Sequence, residues 1–163
     1  MKGTMKYGGG SLIMWGFMTS KGVGYSCRID GRMDSQLYTR ILGDEFMDTL
    51  KYYKLQKDRI IFQQDNDEKH TSKIAKKWFE DNGIHVLDWP SQSPDLNPIE
   101  HLWVHLKRQL STYDIEPNDI HDLWDHIVVQ WDKIPADVCV DLISSMPKRV
   151  KCVIKAKGGY TKY

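Results

Sequence analysis

Cysteine is scarce: Cys27, Cys139 and Cys152 are the three in 163 residues, odd in number and far apart. That pattern excludes a disulfide scaffold, fits a reducing compartment and offers no cysteine-based zinc spacing. Long apolar runs are lacking too. The longest, Leu12 to Met18, is strand-length and broken by Gly16, far short of the roughly 18 residues a membrane span needs. No apolar core follows Met1 as a secretory signal would require. The expectation is an intracellular protein with no membrane partner. Repeats and low-complexity tracts are absent, and so is a surplus of one charge, with 23 Lys+Arg against 22 Asp+Glu.

What is present is ordinary for a globular chain. Hydrophobic residues make up 40% and charged residues 28%, which excludes a disordered or fibrous protein. A chain of this size buries about 70% of its unfolded surface and needs no staples. Its near-neutrality hides an uneven distribution. Residues 148–163 carry six basic groups and no acid, whereas Asp114 to Asp141 holds eight acids and one lysine. Such asymmetry points to nucleic acid or to a basic helix end folding back on an acidic helix, and composition leaves both open.

Hydrophobic periodicity predicts an α/β layout. Ser11 to Thr19 and Val23 to Ile29 read as an antiparallel hairpin joined by Ser20-Lys21-Gly22. A helix over Ser35 to Tyr53 follows a cap at Asp34, then a short strand over Arg59 to Gln64. A helix from about Thr71 to Asp81, burying Ile74, Trp78 and Phe79, leads to a brief strand over Ile84 to Leu87. Trp89 to Pro98 holds three prolines and reads as a loop, with Asn97 capping a helix that starts at Pro98. Two helices follow, Asn118 to Trp131 and Ala136 to Met146, with Pro147 ending or kinking the second before a basic tail. The chain divides into a flexible lead-in over 1–10, a core over 11–113, and carboxy-terminal helices with the tail over 114–163.

Asp65 closes a strand, where ligands collect in α/β sheets, and Glu100 lies in the first turn of a helix, with 34 residues between them. Two carboxylates on rigid elements can converge on divalent metal, since hard cations take oxygen ligands. Spacing alone also allows an Asx-turn at Asp65 and the reaching half of a capping box from Glu100 to Asn97. His101 and His105 stand i, i+4, but the glutamate a His-Glu-x-x-His protease keeps between them is missing and no third ligand is evident. Lys69, His70, Lys73, Lys76 and Lys77 cluster after Asp65 as a phosphate-facing patch or a solvated surface. Trp89 stands apart beside prolines, placed to pack on bases or backbone.

Gln63-Gln64-Asp65-Asn66-Asp67-Glu68-Lys69-His70-Thr71-Ser72 and Trp89-Pro90-Ser91-Gln92-Ser93-Pro94-Asp95-Leu96-Asn97-Pro98-Ile99-Glu100 together closely resemble the DDE endonuclease domain of mariner-superfamily (Tc/mariner-like) transposases. The likeness extends through Gly8-Gly9-Gly10-Ser11, Met14-Trp15-Gly16 and Ile29-Asp30-Gly31. It implies an RNase H-like (retroviral-integrase-like) mixed sheet flanked by helices, with Asp65 and Glu100 as catalytic residues and ligands of Mg²⁺ or Mn²⁺ in a two-metal site. It further implies cutting and rejoining of double-stranded DNA at transposon ends, a homodimer as a state to test, and a nuclear location. DNA contacts are expected from Lys69, His70, Lys73, Trp89, Lys148, Arg149 and Lys151.

Two departures qualify the likeness. Glu68 stands where the family usually has proline. The family's first catalytic Asp, on the first central strand, is expected to lie upstream of this sequence, which the resemblance therefore reads as amino-terminally truncated, since Asp30 and Asp34 follow the outer hairpin strand. With that strand missing the sheet is expected to be split, or closed by an unusual pairing, and Lys2 to Tyr7 is not expected to fill the slot. The isolated chain is then expected to hold metal weakly and to be inactive. The alternative is a domesticated, non-catalytic DNA- or protein-binding module.

Overall fold

The computed structural model describes residues 2–7, 10–88, 96–113 and 117–157, with side chains from Ser11 onward. The chain forms two compact units. The first comprises Met1–Lys2, Ile13–Phe17 and Gly24–Ser91; the second comprises Gly3–Leu12, Met18–Val23 and Gln92–Tyr163.

The hairpin forms as the turn chemistry predicts, with a break in its middle. Strand β2 (Gly10–Trp15) pairs antiparallel with β5 (Cys27–Ile29), Ile13 opposite Ile29 and Trp15 opposite Cys27. Beyond the break, β3 (Met18–Thr19) pairs with β4 (Gly22–Val23). The Thr19 hydroxyl secures their turn, accepting from the Lys21 N–H at 3.0 Å and donating to the Gly22 carbonyl at 3.1 Å. The interruption has a steric cause. A Cβ on Gly24 would come within 2.3 Å of the Phe17 ring, so glycine lets the backbone close over a side chain that turns into the core.

Lys2–Tyr7 is itself a strand, β1, and the sheet order is β1-β2-β5. This corrects the expectation of a flexible lead-in and, on the edge of β2 opposite β5, the expectation that Lys2 to Tyr7 would leave the place beside the hairpin unfilled. Its alternation is weak, but the ladder groups of β2 need partners, and a neighbouring backbone supplies them whatever its side chains.

A helical run follows: α1 (Ser35–Ile41), a π turn (Leu42–Phe46) and α2 (Met47–Tyr52). The Asp34 carboxylate caps it, accepting from the Leu37 N–H at 2.8 Å. Tyr38, Ile41, Leu42, Phe46 and Leu50 fall on its buried stripe. Strand β6 (Ile61–Phe62) pairs in parallel with β7 (His85–Val86), and α3 (Lys73–Asn82) forms the crossover between them. Gly83 ends α3 in the left-handed region at φ 65°. The strand expected over Arg59 to Gln64 is shorter because a 3₁₀ turn takes Lys57–Arg59. Ile74, expected in the core, is 49% exposed; Ala75 and Phe79 take the inner face.

The first unit's core is aromatic at its centre. Phe46 meets Phe62 edge-on at 5.0 Å and Phe17 at 5.2 Å, with Trp15 and Phe79 buried alongside. Among the described residues the strands make three separate sheets, β1-β2-β5, β3-β4 and β6-β7, which is the split expected from the sequence.

The second unit is mainly helical: α4 (Pro98–Leu110), α5 (Ile120–Asp132), α6 (Ala136–Ser144) and α7 (Met146–Lys155). Asp119 caps α5 through the N–H groups of His121 and Asp122, so the helix starts two residues later than expected. Trp103 of α4 stacks on Trp131 of α5 at 5.1 Å, both buried. Because α4 packs on α5 and α6, the division falls near Gln92 instead of at 113. Pro147 does not end the helical region. It sits in the first turn of α7, where no N–H is needed, so the first half of the expected basic tail, through Lys155, is helix.

Candidate functional site

Asp65 lies three residues past β6, in a stretch that belongs to no ladder. Side chains hold it instead. His70 Nδ1 stands 2.5 Å from Asp65 Oδ1, and the Asp67 N–H donates to the same oxygen at 3.3 Å. Among the described residues Oδ2 takes no hydrogen bond. The His70 bond is the main reason that the Asp65 carboxyl is held at about 2, despite the opposing push of partial burial. Burial in turn pushes the His70 imidazole below its usual range, against the pull of Asp65. The two shifts describe one arrangement: a neutral imidazole donating Nδ1–H to an ionised carboxylate.

Behind this pair lies a buried clasp. Gln64 accepts from the Tyr38 hydroxyl at 2.5 Å and donates from Nε2 to the His70 carbonyl at 3.1 Å. The Tyr38 and His70 rings lie 4.4 Å apart. Burial and the nearby Asp65 charge raise the Tyr38 pKa, so the phenol stays protonated and remains a donor. The clasp closes the loop from 64 to 70. The turn inside it forms with Glu68 in place, through the His70 N–H to the Asp67 carbonyl at 2.9 Å. The departure from the family's proline therefore leaves the turn intact.

Glu100 is placed by a helix. It lies exposed in the first turn of α4, and its N–H donates to the Asn97 carbonyl at 3.2 Å. Asn97 stands at the N-cap position but its side chain does not cap. Its amide instead turns to the Glu100 carboxylate, Nδ2 to Oε1 at 3.5 Å. That reverses the capping box, because an ionised carboxylate competes for the donor end of the amide.

The expected DNA-facing residues separate into two kinds. Lys73 on α3 and Lys148 and Lys151 on α7 are exposed. Lys69 is ion-paired with Asp67. His70 and Arg149, expected to face DNA, are each only 2% exposed. His70 is engaged with Asp65, and Arg149 donates from Nε to Ser145 Oγ at 2.8 Å. A charge pattern marks a helix as basic without telling which of its positions turn inward. Trp89 lies outside the described residues. Tyr38 escaped the sequence reading, and nothing in its surroundings there marks it; Gln64 carried a signal in its place directly before Asp65.

Taken singly, the Asp65 carboxylate, ionised with an oxygen to spare, and the Glu100 carboxylate are each the kind of hard oxygen donor that Mg²⁺ or Mn²⁺ takes. Among the described residues no three His, Cys, Asp or Glu side chains gather as a metal cluster, which includes His101 and His105. Beside the Asp65 loop, within the first unit, a cleft of about 810 Å³ is lined by Arg32, Asp34, Asp67, Glu68 and Lys69 among others. No described helix is long and apolar enough to cross a membrane.

Residues 6–124 match the family described as DDE superfamily endonuclease. The Tc1 transposase of Caenorhabditis elegans is 44% identical over 162 residues, spanning 98% of this chain and 57% of that protein. The chain thus spans a little over half the length of this relative. The Mos1 transposase catalytic domain solved with raltegravir and Mg superposes with a TM-score of 0.88 at 18% identity, over 99% of this chain and 83% of that one. A Mos1 transposase paired-end complex with the left transposon end gives 0.82 at 18% identity, over 92% and 44%. The RNase H-like fold expected from the sequence is shown by these superpositions.

Proposed function

The chain belongs to the DDE superfamily endonucleases, homologous to Tc1/mariner transposases, and from that premise we propose that Asp65 and Glu100 are the catalytic, metal-ligating residues of a DNA-cutting and DNA-joining domain. The observation that carries this reading is the state of Asp65: ionised to about pH 2, pinned through Oδ1, with Oδ2 unengaged among the described residues. A carboxylate kept charged and half-exposed by a buried histidine is arranged for an external cation rather than for an internal partner. Magnesium or manganese, when bound, supplies activation of water and stabilisation of the leaving oxygen in phosphodiester chemistry.

The chain's own residues do the rest. His70 fixes the Asp65 carboxylate, and the first turn of α4 fixes Glu100 with help from the Asn97 amide. Lys73 on α3 and Lys148 and Lys151 on α7 supply exposed positive charge for the backbone of duplex DNA. The substrate is double-stranded DNA at transposon ends, met by a pair of transposase copies in the nucleus. The Mos1 paired-end complex with a left transposon end supports this reading as analogy.

Fluorescence anisotropy with a labelled duplex tests the proposal. A metal shared by protein and phosphate links the two affinities reciprocally, by about 5- to 150-fold in typical couplings. Mn²⁺ should therefore tighten duplex binding at least about fivefold, and Asp65→Asn or Glu100→Gln should erase the gain. Duplex binding indifferent to Mn²⁺, or a gain that survives both substitutions, would contradict it.

A further inference from the structure

His70 is the most constrained polar side chain beside the candidate ligands. Its Nδ1 lies 2.5 Å from Asp65 Oδ1, its ring packs on Tyr38, and its carbonyl accepts from Gln64. Among the described residues its Nε2 is buried without a hydrogen-bond partner. That last fact decides the tautomer. A proton on Nε2 would be a buried orphan donor, which folded proteins rarely tolerate, whereas an unpaired acceptor is cheaper. It would also turn the lone pair of Nδ1 towards a carboxylate oxygen at 2.5 Å, a repulsive contact. The proton therefore belongs on Nδ1.

We propose that His70 is the positioning residue for Asp65: a neutral, Nδ1-protonated imidazole that holds Oδ1 and so presents Oδ2 to a divalent cation. This rests on the reading of Asp65 as a metal ligand and adds what sets its geometry. Backbone contributes only the longer Asp67 N–H contact to Oδ1 at 3.3 Å, because the segment after β6 has no ladder. The Tyr38–Gln64 clasp fixes the height of the His70 backbone, and His70 converts that into the orientation of the carboxylate. Loss of such an outer contact typically costs 10- to 100-fold in metal affinity.

The test combines a spectroscopic signature with a rescue. In ¹⁵N NMR of the unsubstituted protein without metal, His70 should show a pyrrole-type Nδ1 and a pyridine-type Nε2 at neutral pH. The opposite tautomer would overturn the proposal whatever the metal data show. In calorimetric titration with Mn²⁺ alone, His70→Phe, which keeps the ring, should weaken binding at least about tenfold. His70→Asn, whose amide donor can occupy the place of Nδ1, should restore most of it. Far-UV circular dichroism establishes that each variant is folded. A folded His70→Phe that binds Mn²⁺ as the parent does, or a folded His70→Asn that rescues nothing, would refute the positioning role. Asp65→Asn separates the two readings. If it leaves Mn²⁺ binding unchanged, the metal assignment of Asp65 is wrong, while the tautomer still reports on His70 independently.

Discussion

Asp65 and Glu100 carry the same chemical group and are held in opposite ways. Asp65 stands on irregular backbone and takes its orientation from side chains, with His70 before it and the Gln64–Tyr38 clasp behind. Glu100 stands on the first turn of a 13-residue helix and takes its place from the backbone, with a longer Asn97 contact of 3.5 Å as a secondary guide. The contrast teaches where each position is vulnerable. A loop ligand is lost by breaking one buried hydrogen bond, and a helix ligand by unfolding the helix that carries it.

The largest effects come from attacking the scaffolds. Phe46→Ala opens the aromatic centre of the first unit, and Trp131→Ala removes the partner of Trp103 in the second. Each should cost about 3–5 kcal/mol in urea unfolding. Next comes the clasp. Gln64→Ala leaves the Tyr38 hydroxyl buried without an acceptor and should cost about 1–3 kcal/mol, with NMR shifts concentrated between 64 and 70. Asn97→Ala should be milder in stability, about 1 kcal/mol or less, because Glu100 keeps its helix. If Asn97→Ala disturbed Glu100 as much as Gln64→Ala disturbs Asp65, the contrast would fail.

The smallest effect is a pH dependence, carried on the Asp65 side by His70 and on the Glu100 side by His101, whose imidazole burial and the Arg149 charge also hold below its usual range. The folded His70 pKa lies below its ordinary 6.5, so the unfolded chain takes up the proton first. Stability should fall as pH drops below about 6.5, and His70→Phe should flatten this limb. The folded Asp65 pKa, about 2 against an ordinary 3.8, adds a contribution that is present above 3.8 and lost as pH falls through about 2. Denaturant midpoints measured from pH 7 to pH 3 check the first limb, and below pH 3.8 only a shallow further response is expected because Asp65 is half-exposed.

Much of this was legible in the sequence, for physical reasons. Turn residues fixed the hairpin and Asp34 and Gly83 marked helix ends, while Asp65 and Glu100 were singled out by the resemblance of their motifs and not by spacing. Positions decided by tertiary packing were not legible. Arg149 reads as part of a basic run but turns inward to Ser145, and His70 reads as a surface cation but is the buried partner of Asp65. Lys2–Tyr7 pairs on β2 despite its weak alternation, because a ladder satisfies backbone groups regardless of side chains. Pro147, read as ending or kinking the helix before it, lies in the first turn of α7, where proline is equally at home.

The central claim, that Asp65 and Glu100 are metal ligands, is tested most directly by Mn²⁺ electron paramagnetic resonance on the chain without DNA. Bound Mn²⁺ depletes the free six-line signal. The account predicts depletion by the unsubstituted protein at millimolar concentrations or below, reduced at least about tenfold in affinity by Asp65→Asn and by Glu100→Gln. Depletion that neither substitution alters would contradict it.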